Sequence, residues 1–250
     1  MIIDAHAHLD VLDSTGWSDS PEKLLHLMDR AGIDKTVVTS YGDTPGPNPS
    51  VDRLREYVSE HSNRFIGFPR MDPRYGDKAA ETFERAIKHD GMRGLKLHPV
   101  SYGSSLFGMN TLRLFEMAAE FDVPVLIHSG DRLGALPQQV GEAASRTDAT
   151  LLMAHIGGFF NARTALNVAH RHDNVILETS AFPYPRVIQD AVDELGAERV
   201  LYGSDMPPGN PIVELEKIEV LDLTDEQRER ILWRNTAELL DLDIQPEDSA

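Results

Sequence analysis

Ile2-Ile3-Asp4-Ala5-His6-Ala7-His8-Leu9 opens the chain as an apolar strand that ends in two histidines spaced i, i+2. Residues two apart on a strand share a face, about 7 Å apart along the backbone, so both imidazoles can hold one cation. The stretch therefore reads as the first strand of a sheet and as half of a metal site. The rest of the chain is asked for further strands and for the other half.

Working outward, β-branched or apolar runs recur at Lys35 to Thr39, Arg64 to Phe68, Gly94 to His98, Pro124 to His128, Leu151 to His155, Val175 to Glu178 and Val200 to Tyr202. A helical pattern follows each. The first helix is announced by Ser20 as N-cap with Pro21 at the first helical position, after a polar loop from Ser14 to Asp19. A second loop, rich in Pro and Gly, runs from Gly42 to Pro49. Eight strand-helix units with nearly all-apolar strands imply a parallel sheet covered by helices, and eight is the number that closes it into a (β/α)8 TIM barrel. An open doubly wound sheet is the competing architecture, but no Gly-rich phosphate turn follows the first strand. No linker or low-complexity segment divides the chain, so residues 1–242 read as one barrel domain. An additional C-terminal helix spans Thr224 to Leu240, and 243–250 is an acidic tail.

The composition narrows the chemistry. Lys and Arg number 24 against 41 Asp and Glu, a net charge of −17, which disfavours nucleic acid and anionic membranes as partners. There is no cysteine, so any metal must be held by His and carboxylate. No leader with an apolar core precedes Ile2, and no run approaches the roughly 18 apolar residues of a membrane span. The expectation is a cytoplasmic protein acting on a small molecule; self-association into a homo-oligomer is compatible with the sequence and not fixed by it.

In a barrel of this kind chemistry sits at the C-terminal ends of the strands. Five of the ten histidines, His6, His8, His98, His128 and His155, fall at strand ends, and Asp205 follows the last strand in Leu201-Tyr202-Gly203-Ser204-Asp205. Three neutral imidazoles and one carboxylate, with no sulfur, suit zinc or another borderline divalent ion that keeps a position open for water. His26, His61, His89, His170 and His172 lie in or beside helices and read as surface residues.

IIDAHAHL, GLKLHP, PVLIHSG, LLMAHIGG, LYGSDMP and the closing ILWRNTAELLDL appear in that order along nearly the whole chain. Together they resemble the amidohydrolase superfamily, metal-dependent (β/α)8 barrels, and within it the branch that includes aminocarboxymuconate-semialdehyde decarboxylase. The resemblance implies one divalent ion, zinc first and manganese as the alternative, held by His6, His8, His128 and Asp205. It gives His155 the part of catalytic acid and base, with Asp205 also in the chemistry. In binuclear members a strand-four lysine bridges two metals; here Lys96 precedes His98-Pro99, as in the mononuclear branch. Lys96 and His98 share a strand face and are candidates to touch substrate, as are Arg70 and Arg132 in the loops after strands three and five, because a carboxylate is well matched by Arg. Arg74, Tyr102, Phe159 and Phe182 could wall the pocket. The expected reaction is hydrolysis of a small amide, ester or lactone by metal-activated water. The alternative is non-oxidative decarboxylation within the same branch, and a TatD-type nuclease ranks third.

Overall fold

The computed structural model describes residues 1–12, 16–42 and 47–244. Its strands are β1 (Ile3–Leu12), β2 (Trp17–Asp19), β3 (Lys35–Ser40), β4 (Phe65–Gly67), β5 (Leu95–Leu97), β6 (Val125–Ile127), β7 (Leu151–Met153), β8 (Val175–Glu178) and β9 (Val200–Leu201). Apart from β2 they pair in parallel, in two sheets ordered β2-β1-β3-β4 and β5-β6-β7-β8-β9. Parallel bridges at Arg70 with Lys96 and at Ala7 with Met206 join the two sheets along both seams. The eight strands therefore form the ring of a TIM barrel.

One expectation is corrected. The segment read as a polar loop up to Asp19 contains β2, which pairs antiparallel with the far end of β1, Asp10 facing Asp19 and Leu12 facing Trp17. The first strand runs on past Leu9, beyond its apolar stretch, and its extra length is paired by this return strand. The rest of that loop, residues 13–15, and residues 43–46 of the Gly42 to Pro49 loop lie outside the described residues.

The helices are α1 (Pro21–Ala31), α2 (Pro47–Glu60), α3 (Asp77–Lys88), α4 (Pro99–Tyr102), α5 (Met109–Glu120), α6 (Pro137–Ala144), α7 (Ala162–Arg171), α8 (Pro185–Leu195) and α9 (Pro211–Glu219). At α1 the Ser20 side chain accepts from the Lys23 amide, and Gly32 ends the helix at φ +70°, a left-handed stop open to glycine. The short α4 was not legible as an element. It is a single turn started by Pro99 and capped by the His98 side chain.

Alternation along the strands sorts the core into two layers. Leu95, Leu97, Val125, Ile127, Leu151 and Met153 pack outward with helix residues such as Leu24, Phe83 and Phe115. Ile3, Ala5, Val37, Ile66, Leu126, Leu152 and Leu201 fill the interior. The closing helix starts at a Thr224 cap as α10 (Asp225–Glu229), continues through a π turn over Arg230–Arg234 and ends as α11 (Asn235–Leu239). Its Ala237, with Leu240 just beyond, joins the inner cluster and closes the barrel at the end opposite the histidines. The acidic tail from 245 on lies outside the described residues. Among the described residues no helix is long and apolar enough to cross a membrane.

Candidate metal centre

His6 and His8 leave β1 on its inner face, where the pairing register shifts between Asp4 and Ala7. Their Nε2 atoms are 3.1 Å apart. Asp205, in the loop after β9, is drawn to them by backbone pairing, its amide donating to the His6 carbonyl at 2.8 Å. Its Oδ1 stands 3.0 Å from His8 Nε2 and 3.6 Å from His6 Nε2. One donor atom from each of the three lies within 4.8 Å of the others.

The protonation states suit a cation. Burial lowers His8 to about 3 and holds His6 below its usual range, so both imidazoles are neutral. Burial alone would raise Asp205, but its contacts to His8 and His6 outweigh it and keep the carboxyl well below the ordinary carboxylate range. Two neutral imidazoles and one ionised carboxylate around a common point fit a divalent ion. His8 Nδ1 is buried without a hydrogen-bond partner.

Glu178, at the end of β8, is marked by no motif as part of the site. In the structure it accepts from His6 Nδ1 at 3.0 Å, which assigns the proton to Nδ1 and turns the Nε2 lone pair toward the site. The Glu178 carboxylate, held down to about 2 by His6 against the opposing effect of burial, also accepts from the Ser180 hydroxyl at 2.8 Å. That hydroxyl stands 2.9 Å from His155 Nδ1 and 3.3 Å from His6 Nδ1. His6, His155 and Glu178 are also close enough to share an ion. The Ser180 hydroxyl lies among them, however, and makes the group a hydrogen-bonded wall.

His155 follows β7 in left-handed backbone, φ +60°, and its Nε2 stands 3.2 Å from His128 Nδ1. His128, expected as a ligand, is not one of the three clustered donors; it reaches the centre through His155, its ring flat on that of His98 at 3.9 Å between centroids. Lys96 is fully buried, lowered to about 7 by burial, and its Nζ stands 2.7 Å from His6 Nε2. Tyr41, at the end of β3, lies flat against His8 at 5.0 Å, and no motif marked it.

Of the proposed substrate contacts, Arg70 and Lys96 are brought together by their strand pairing. Tyr102 lies against Arg70, its ring 5.0 Å from the guanidinium carbon. Arg74 is paired with Asp72. Arg132 is exposed and is not brought to the cluster. Phe182 is buried, whereas Phe159 sits at the surface against Tyr184.

The chain is similar to known proteins along nearly its whole length. A 2-amino-3-carboxymuconate-6-semialdehyde decarboxylase from Dictyostelium discoideum is 23% identical, the match covering 97% of this chain and 82% of that protein. The crystal structure of 2,6-dihydroxybenzoate decarboxylase from Rhizobium superposes with a TM-score of 0.78 at 17% identity, over 97% of this chain and 99% of that one. A dihydroxybenzoic acid decarboxylase from a Polaromonas species, solved with manganese and 2-nitroresorcinol, gives 0.76 at 18% identity, over 98% of each chain. The amidohydrolase family model matches residues 3–242, and the chain belongs to that family.

Proposed function

We propose that the chain is a metal-dependent, non-oxidative decarboxylase of a small carboxylic acid. The observation that carries this reading is the match of almost the entire chain to decarboxylases. Hydrolysis, which the sequence put first, and nuclease action have no such support among these relatives. His6, His8 and Asp205 would hold the ion, with His128 as a fourth ligand; zinc and manganese both suit imidazole and carboxylate donors. When bound, the ion supplies Lewis acidity toward a substrate oxygen.

The chain's own residues do the rest. Glu178 fixes the His6 tautomer. Ser180 donates a hydrogen bond to Glu178 and accepts one from His155 Nδ1, so Nε2 is the His155 ring atom left to exchange protons. In the reaction the bond between the substrate carbon and its carboxyl group breaks, CO2 departs, and the carbon that keeps the electron pair takes a proton that His155 takes up from solvent at Nε2 and delivers from the same atom.

The test is CO2 release by protein loaded with manganese or zinc and offered hydroxybenzoates and unsaturated dicarboxylates. Labelled-water incorporation is followed in parallel with amides and lactones. CO2 release is expected; turnover of a lactone or amide with no acid decarboxylated would reject the reading.

A further inference from the structure

Tyr41 is tied down at several points while its ring lies on His8. Its amide donates to the Leu9 carbonyl at 3.2 Å, one step past the pairing of Ser40 with Leu9, so the residue continues β3 along the edge of β1. Its carbonyl accepts from Arg70, and its hydroxyl donates to Asp19 Oδ2 at 2.7 Å. Asp19 is buried, ends β2 and accepts from Lys23 through its other oxygen. In the sheet β1 lies between β2 and β3. The Tyr41 side chain therefore spans β1 from one neighbouring strand to the other, and its ring covers His8 on the way.

The two rings are nearly parallel, 8° between planes with centroids 5.0 Å apart, which is offset stacking. The direction of the Nε2 lone pair depends on the plane of the imidazole, so whatever fixes that plane contributes to the hold on an ion. For His6 the group that does so is Glu178, through Nδ1. His8 is served differently: the face of its ring rests on an aromatic plane whose far end is anchored to a carboxylate of β2. This also gives β2 a purpose, since it pairs with the far end of β1 outside the ring of barrel strands.

We propose that Tyr41 is a positioning residue for the metal centre: tied to Asp19 of β2, it holds the His8 ring in the plane from which Nε2 faces the ion. This rests on His8 being a metal ligand and not on which reaction the centre carries out.

Cobalt(II) is the probe, because its visible absorption reports ligand geometry while competition against a chelator gives its affinity. Wild type, Tyr41→Leu, Tyr41→Phe, Asp19→Ala, the Tyr41→Phe/Asp19→Ala double variant and His8→Ala are stripped of metal and titrated. Tyr41→Leu removes the ring and should lose about 10–100-fold in affinity, with shifted absorption bands. Tyr41→Phe keeps the ring and the packing and removes only the tether. It and Asp19→Ala should each lose less, at most the roughly tenfold worth of one hydrogen bond. The double variant should lose no more than either, because both substitutions cut the same bond. Wild-type affinity and spectrum in both Tyr41 variants, whatever their Tm, would overturn the proposal and make Tyr41 a packing residue. No loss in Tyr41→Phe, or additive losses in the double variant, would overturn the tie through Asp19. His8→Ala separates the two failures: wild-type affinity there would remove His8 from the centre and the proposal with it, whereas lost affinity there beside unaffected Tyr41 variants would overturn the proposal alone.

Discussion

His155 and Asp205 share a backbone peculiarity: both are non-glycine residues in left-handed conformation, at φ +60° and +53°. Such a residue costs on the order of 1–3 kcal/mol and persists where the surroundings over-determine it. For Asp205 the surroundings are the hydrogen bond its amide donates to the His6 carbonyl and the contact to His8; for His155, Ser180 and His128. Their side chains are expected to act differently. Asp205→Asn should lose bound metal as measured by elemental analysis, because a carboxylate charge leaves the donor set. His155→Ala should keep its metal and lose about 10²–10⁴-fold in turnover. Equal metal content in Asp205→Asn and wild type would remove Asp205 from the site, and near-normal turnover of His155→Ala would end its acid-base role.

At the scale of elements, the end of β8 and the loop after β9 must approach closely enough for Glu178 to reach His6. Gly203 permits it, since a Cβ there would fall 2.0 Å from Glu178 Oε1. Gly203→Ala should displace that carboxylate and release the His6 ring. Metal affinity is expected to drop about 10–100-fold, the usual effect of disturbing a group that orients a ligand. Competition against a chromophoric chelator measures it, and an unchanged affinity with a native circular dichroism spectrum would show that Glu178 does not matter to the ion. This arrangement was hidden in the sequence. Glu178 ends an apolar strand like any solvent-facing residue, and its neighbour in space, Gly203, is 25 positions away.

The whole molecule carries a net charge of −17, and one carboxylate away from the centre ties its stability to pH. Glu214 on α9 is raised to about 7, by burial above all and against the pull of Lys217. Lys217 holds α9 to the β8 end through the carbonyls of Thr179 and Phe182, at 3.1 and 2.7 Å. A folded-state pKa above the unfolded one means that the folded chain binds the proton more tightly. This contribution to stability is full below about 4.5 and is lost as the pH rises through about 7. Glu214→Gln has no such proton, so its Tm should vary less than that of wild type between roughly pH 5 and pH 8. Identical pH profiles would contradict the raised pKa.

The order of elements was legible because it is written in local patterns. Short, nearly continuous apolar or β-branched runs marked the eight barrel strands, Ser20-Pro21 and Thr224 marked helix starts, and the spacing of His6 and His8 put two donors on one face. The spacing of Lys96 and His98 likewise put both on one strand face, and Lys96 lies fully buried. Tertiary structure alone decided which polar groups meet. It brought Glu178 to His6, Tyr41 to His8 and Ser180 between two histidines, and it kept Arg70 inside while leaving Arg132 in solvent. These pairings depend on closure of the ring, which sets residues from distant strands face to face, and a one-dimensional pattern holds no record of that distance.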